Sequence, residues 1–169
     1  MNKFIEIDPT EIEDNVFQMI GRDWMLITAG QPGDFNTMTA SWGGLGEMWN
    51  AHVAAAVVRP SRHTFGYLER EKYYTLSIFD PGYRRALQIC GTVSGRDTDK
   101  VHDAGLTPVF DAAAPYFKEA RLALVCRKLY TSDLQPDRFL DPTIESHYKG
   151  DDYHRLYLGE IVKVLKAVD

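Results

Sequence analysis

Apolar and polar positions along this chain follow two periods, and the switches between them mark its elements. Ile12, Val16, Met19 and Ile20 recur at helical spacing behind Thr10-Glu11-Ile12-Glu13, which reads as a capping box, and Gly21 ends that short helix. Trp24 to Thr28 reads as a strand, residues 30–34 as a turn, and Asn36 to Trp42 as the second strand of a hairpin. Gly43-Gly44-Leu45-Gly46 reads as a flexible connection. His52 to Val58 is a nearly continuous run of small apolar residues, the pattern of a strand buried on both faces. Ser61 is placed to cap a helix from Arg62 to about Arg70, with Phe65 and Leu68 inward. Tyr73 to Phe79 alternates, with Tyr74, Leu76 and Ile78 on one side. Tyr83, Ala86, Leu87 and Cys90 fall at i, i+3, i+4 and i+7, an amphipathic helix that Gly91 ends. Asp97 to Ala104 reads as another short helix, and Arg121 to Tyr130 and Tyr153 to Val168 as the last strands. Strands in hairpins with short helices between them predict an α+β, mainly β fold built on a barrel or curved antiparallel sheet, not a doubly wound one.

Composition narrows the reading without changing it. The 169 residues, 44% hydrophobic and 25% charged, suit one globular domain over 1–169, with no internal repeat. A net charge of −5 works against nucleic-acid binding, which needs Lys and Arg against phosphates. The longest apolar run, Val53 to Val58, is far too short to cross a membrane. Acidic residues near the start, where a signal peptide would need an apolar stretch, make a cytoplasmic location the expectation. The two cysteines, Cys90 and Cys126, lie on an apolar helix face and in an apolar strand, so both are expected to be small core residues. Among the five histidines, His52 is expected to be a hydrogen-bonded core residue, and His63 and His102 to face solvent or an anion site. His147 and His154 flank two aspartates, but no third ligand has a metal site's spacing, so no metal is expected. No nucleophile–base pair is visible, and no catalytic residue is assigned.

Three segments carry candidate chemistry. Arg59-Pro60-Ser61-Arg62-His63-Thr64 puts two arginines and two hydroxyls at a helix start, whose free N–H groups attract anions. Ser94-Gly95-Arg96-Asp97-Thr98-Asp99-Lys100 offers a tight turn, hydroxyls and two cations. Together they resemble two halves of a phosphate clamp; the blander reading is helix capping by Ser61 and Asp97, and spacing does not show that the segments meet. Asn36 to Trp42 alternates Asn36, Met38, Ala40 and Trp42 with Thr37, Thr39 and Ser41. Such a strand suits a flat polar ring, or an edge strand with one wet face.

These segments, with Arg-Leu-Ala-Leu-Val-Cys-Arg at 121–127 and Tyr-Leu-Gly-Glu-Ile at 157–161, resemble the flavin reductase-like family of FMN-binding split barrels, in its flavoredoxin-like branch. The likeness runs from about Gly21 to Val164. It implies an antiparallel, Greek-key-like split β-barrel with short peripheral helices, assembled as a homodimer with FMN near the subunit interface. By the same resemblance, Asn36, Thr39, Ala40, Ser41 and Trp42 line the flavin ring and ribityl chain. Arg59, Ser61, Arg62 and Thr64 take the phosphate side, and Ser94, Arg96 and Lys100 the second phosphate segment. His147 and His154 are both candidates for the late histidine that some members use. The activity implied is electron transfer through bound FMN from NADH or NADPH to a small-molecule or redox-protein acceptor. A non-enzymatic FMN-binding carrier and a pyridoxamine-phosphate-oxidase-like enzyme are the alternatives.

Overall fold

The computed structural model describes residues 3–168. Its strands are β1 (Lys3–Ile7), β2 (Met25–Gln31), β3 (Asp34–Ala40), β4 (Gly43–Met48), β5 (Ala51–Val58), β6 (Tyr73–Ile78), β7 (Pro108–Val109), β8 (Tyr116–Phe117), β9 (Leu122–Asp133) and β10 (Arg155–Val168). Its α-helices are α1 (His63–Arg70), α2 (Arg84–Thr92) and the single turn α3 (Lys100–Asp103). Eight strands form one sheet in the order β3-β2-β6-β9-β10-β5-β4, with β1 on the far end of β10, and β7 pairs with β8 separately. Every pairing is antiparallel. The long β10 organises the sheet: residues 155–160 pair with β5, residues 164–168 with β1, and most of its other edge with β9. Among the described residues no helix is long and apolar enough to cross a membrane.

The alternation buries apolar side chains on both sides of β2, in the two larger of three core clusters. Met25, Ile27, Tyr74, Leu76, Ile78, Leu124 and Cys126 face one interior. Leu26, on the opposite side of β2, joins Phe79, Ala86, Leu87, Cys90 and Phe117 beneath α2. Burying one such aliphatic side chain contributes about 1.5–3 kcal/mol. The apolar stripe of α2 therefore fastens that helix to the sheet. Both cysteines are buried as expected, and burial pushes the Cys90 thiol up to about 11.

Several expectations need correction. Gly43 to Gly46 is not a flexible connection but most of an edge strand, registered from Gly43 opposite Ala56 to Met48 opposite Ala51. A Cβ on Gly43 would lie 2.3 Å from the Ala55 carbonyl oxygen, so the close approach of β4 to β5 requires glycine there. Trp49 and Asn50, with φ of 53° and 55°, close this hairpin as a two-residue primed turn. The capping box lies two residues earlier than predicted, on Asp8 and Glu11, and the helical turn after it is a short π-helix over Gln18–Arg22. Ser61 does not cap α1: the N-cap is Arg62, with no side-chain cap. Asp99, not Asp97, caps α3. His52 is not a core residue; its side chain is 43% exposed and pairs with Glu47 at 3.0 Å.

The polar strand β3 is at the sheet edge, yet it has no wet face. Thr37 is fully buried, with its hydroxyl 2.8 Å from that of Thr28. Thr39 donates its hydroxyl to the Leu87 carbonyl of α2. Internal partners satisfy these groups, as buried polar atoms require.

Candidate functional site

β3 and β4 are consecutive in the chain but end the sheet on opposite sides, so Ser41 and Trp42 must cross the opening between them. A hollow of about 190 Å³ lies at this crossing, lined by Met38 to Trp42, by Val57 of β5, by Arg59 and Arg62, and by His154. Trp42 stands 42% exposed at its rim. A second hollow, of about 160 Å³, is lined by Ser61 to Thr64 at the start of α1, by Gly91 to Ser94 at the end of α2, and by Arg96 and Lys100. Arg62 belongs to both. The two segments that sequence spacing left unconnected therefore meet in space, around one polar pocket that shares Arg62 with the hollow beside Trp42.

Of the sequence-predicted residues, Ala40, Ser41 and Trp42 line the first hollow through β3 and its continuation. Thr39 lines it too, although its hydroxyl is held by α2. Asn36 lines neither hollow. It is buried, and its Nδ2 donates to the Thr64 hydroxyl at 2.8 Å, tying β3 to α1. A Cβ on Gly95 would lie 2.2 Å from Asn36 Oδ1, so the 94–100 loop lies directly on this tie. Thr64 is fully buried against Asn36, and its place in the second hollow is fixed by that bond.

The cations differ in how free they are. Lys100 is 3% exposed, and its Nζ donates at 3.1 Å to the carbonyls of Cys90 and Val93. It closes the C-terminal end of α2, where a cation is favoured, and keeps one of three donors for the pocket. Burial lowers its pKa to about 8, so it stays mostly charged at neutral pH. Arg62 donates to the Gly91 carbonyl at 3.1 Å, and burial, then Arg59, lowers its pKa. Arg59 points away from the second hollow: it donates to the His147 carbonyl at 2.8 Å and lies over the Tyr148 ring at 4.8 Å. Arg96 is exposed beside Ser94, whose hydroxyl accepts from the Arg96 N–H at 3.2 Å. Ser61 is engaged by Asp152, which takes both its hydroxyl and its N–H.

The two late histidines differ in position. Both rings approach Trp42, at 5.3 Å for His147 and 5.1 Å for His154, but only His154 lines the hollow. His154 is buried, its Nδ1 is 2.8 Å from the Tyr148 hydroxyl, and burial, then the Arg59 charge, lowers its pKa to about 4. It is a neutral imidazole at neutral pH. Sequence reasoning left His63 between solvent and an anion site, and missed Asp152 and Tyr148 at the site. His63 lines the second hollow, where burial and then Arg96 and Lys100 lower its pKa. A local motif signalled the first of these; the other two come from a distant loop.

The arrangement suits a ligand with a flat head and an anionic tail. Trp42 at the rim, with Met38, Ala40 and Val57 among polar lining residues, suits the first, and a cationic, hydroxyl-bearing pocket meets the second, within a chain of net charge −5.

Comparison with known proteins agrees with this geometry. The family model described as flavin reductase like domain matches residues 18–168. No curated protein sequence matches the chain significantly. Among solved structures, an FMN-binding domain of a flavin reductases-like enzyme from Shewanella baltica superposes with a TM-score of 0.70 at 14% identity, over 98% of this chain and 78% of that one. Flavoredoxin from Methanosarcina acetivorans gives 0.66 at 22% identity, over 94% and 75%. An NADH:FAD oxidoreductase of Streptomyces globisporus, solved with NAD and FAD fragments, gives 0.61 at 17% identity, over 85% and 74%. The sheet is the split barrel of these proteins. The chain belongs to the flavin reductase like domain family.

Proposed function

We propose that this protein is an FMN-binding oxidoreductase that accepts reducing equivalents from NADH or NADPH and passes them to a small-molecule or redox-protein acceptor. One observation carries the reading: residues 61–64 and residues from 91–100 converge on a cationic pocket that shares Arg62 with the hollow beside Trp42. In this reading the ring lies against Trp42 and the end of β3, and the phosphate lies among Arg62, Thr64, Ser94, Arg96 and the remaining donor of Lys100. Bound flavin supplies the redox chemistry, and the chain's residues bind, orient and shield it. His154, neutral and held by Tyr148, offers the ring-side hollow a hydrogen-bonding group without adding charge.

The protein acts as a homodimer in this reading. Support comes from an apolar surface at the β4–β5 hairpin, where Met48, Trp49, Leu129 and Tyr130 are all exposed and Trp49 lies 6.3 Å from Tyr130. Light scattering on purified protein is expected to give a dimer mass at micromolar concentration, and a monomeric mass with FMN bound refutes the assembly.

The decisive experiment is an absorption spectrum followed by a titration. Purified protein is expected to be yellow, or to quench added FMN with one flavin per chain, and to oxidise NADH or NADPH when flavin is present. A colourless protein that leaves FMN fluorescence unchanged refutes the reading. Flavin binding without nicotinamide oxidation turns it into that of an electron carrier.

A further inference from the structure

Ser61 lies in the segment that the family resemblance assigns to the phosphate, and its hydroxyl and N–H are donors an anion there would use. In the folded chain both are occupied. The hydroxyl donates to Asp152 Oδ2 at 2.6 Å and the N–H to Asp152 Oδ1 at 3.1 Å. A carboxylate from 91 residues further along the chain thus holds two donors at the edge of the second hollow. Asp152 belongs to the loop that also carries His154 to the first hollow, with Tyr148 bonded to it and His147 beside Trp42. That loop has anchors independent of the carboxylate, since Arg59 donates to the backbone carbonyls of His147 and Asp152 and packs on Tyr148. The Asp152 charge also acts on Arg62, where it opposes the effect of burial.

Resting on the FMN reading, we propose that Asp152 sets the affinity and selectivity of the site: its carboxylate competes with the flavin phosphate for Ser61 and makes the phosphate-bearing flavin an exchangeable partner. An incoming phosphate must either displace the carboxylate from two hydrogen bonds, or settle beside it and bear the repulsion between two anions. Both outcomes weaken only the phosphate's share of the affinity. Riboflavin, with the same ring and ribityl chain but no phosphate, is blind to Asp152.

The test is a double-mutant cycle on the full chain, with FMN and riboflavin titrated by fluorescence quenching at one fixed salt concentration and release followed by stopped flow. Asp152→Asn is expected to bind FMN about tenfold more tightly, mainly through slower release, while riboflavin changes less than about twofold. Asp152→Ala is expected to shift FMN in the same direction, which guards against Asn keeping the contact. Ser61→Ala is expected to cost FMN more in the Asp152→Asn background, where it removes most of the gain, than in the native background, where Asp152 already engages the hydroxyl. Equal weakening of FMN and riboflavin by Asp152→Asn makes the carboxylate a loop anchor and overturns the proposal. Unchanged FMN affinity overturns it as well, because the phosphate then never meets Ser61. Native protein that binds neither flavin fails the FMN reading itself, and the missing native signal distinguishes that failure from the other two.

Discussion

The two hollows that share Arg62 are built on different principles. The ring-side hollow takes its lining from one strand end and a distant loop, and its aromatic side chains meet edge-on or tilted, as Trp42 does with His147 and His154. The phosphate-side hollow is a lattice of commitments: Asn36 holds Thr64, Lys100 and Arg62 hold the end of α2, and Asp152 holds Ser61. In the proposed reading, contact area with the flavin ring sets the energy on the ring side. On the phosphate side most donors already have partners, so selectivity depends on how firmly the remaining ones are positioned. Substitutions in the second hollow are therefore expected to disturb folding and phosphate binding together, and those in the first to alter ring contacts with the fold intact.

The largest break in this contrast is expected from Gly95→Val. Its Cβ would fall 2.2 Å from Asn36 Oδ1 and 3.0 Å from Asn36 Cγ, so either Asn36 or the 94–100 loop must move. Overpacking of this kind costs about 1–3 kcal/mol, and losing the buried Asn36–Thr64 bond adds roughly 1–3 more. Urea unfolding is expected to show a loss of about 3 kcal/mol, with FMN affinity down by on the order of a hundredfold. A stable variant with native FMN affinity would dissolve the lattice picture. Lys100→Met comes next. It keeps the aliphatic stem and removes the ammonium from the carbonyls of Cys90 and Val93, at a cost of about 2 kcal/mol in stability. If Lys100 acted on the phosphate alone, denaturant midpoints would not move and only FMN binding would fall.

Much of the fold is legible in the sequence because it is written in periodicity. The alternation of Tyr74, Leu76 and Ile78 and the helical spacing of Ala86, Leu87 and Cys90 survive into the structure as buried faces. What escaped was structure without an apolar signature. β4 is half glycine, so its pairing with β5 rests on backbone hydrogen bonds and close approach rather than on side chains. Lys3–Ile7, a further strand on β10, passed unread for want of a strict alternation, with three of its five residues exposed. The site divides in the same way. Its local segments were visible as motifs, but Asp152 meeting Ser61 is a contact set by the topology of β5 and β10, and no spacing encodes it. The role of Lys100 at the end of α2 was hidden as well, because sequence reports a charge and not the carbonyls it will face.

The ring side is expected to show its difference through pH. The His154 pKa is lowered from 6.5 to about 4, so between those values the unfolded chain binds a proton that the folded chain refuses. The contribution of His154 to stability therefore falls as pH drops from about 6.5 toward about 4 and is constant below. For a residue with some solvent contact the full shift overstates the effect, and a loss on the order of 1 kcal/mol is expected. His154→Gln should flatten this part of the stability–pH curve. A native and a variant curve of identical slope there would show that His154 is not held neutral.

The smallest expected effect discriminates best between the two hollows. Trp42 is 42% exposed, so it offers a ligand only part of its surface, and an aromatic contact contributes about 0.5–1.5 kcal/mol beyond its area. Trp42→Phe retains a flat ring, reduces that contact, and leaves every hydrogen bond of the second hollow in place. FMN and riboflavin are both expected to weaken by about threefold, by the same factor, with a shifted flavin spectrum and an unchanged far-UV spectrum. The equality is the informative part, because FMN and riboflavin differ only where the second hollow acts. A change at Trp42 that weakened FMN alone would mean that the ring-side residue reaches the phosphate through Arg62, which both hollows share, and the two regions would then be one energetic unit. A change that altered neither affinity nor spectrum would move the ring away from Trp42 altogether. Equal, modest losses leave the division intact: a ring side that measures contact and a phosphate side that measures position.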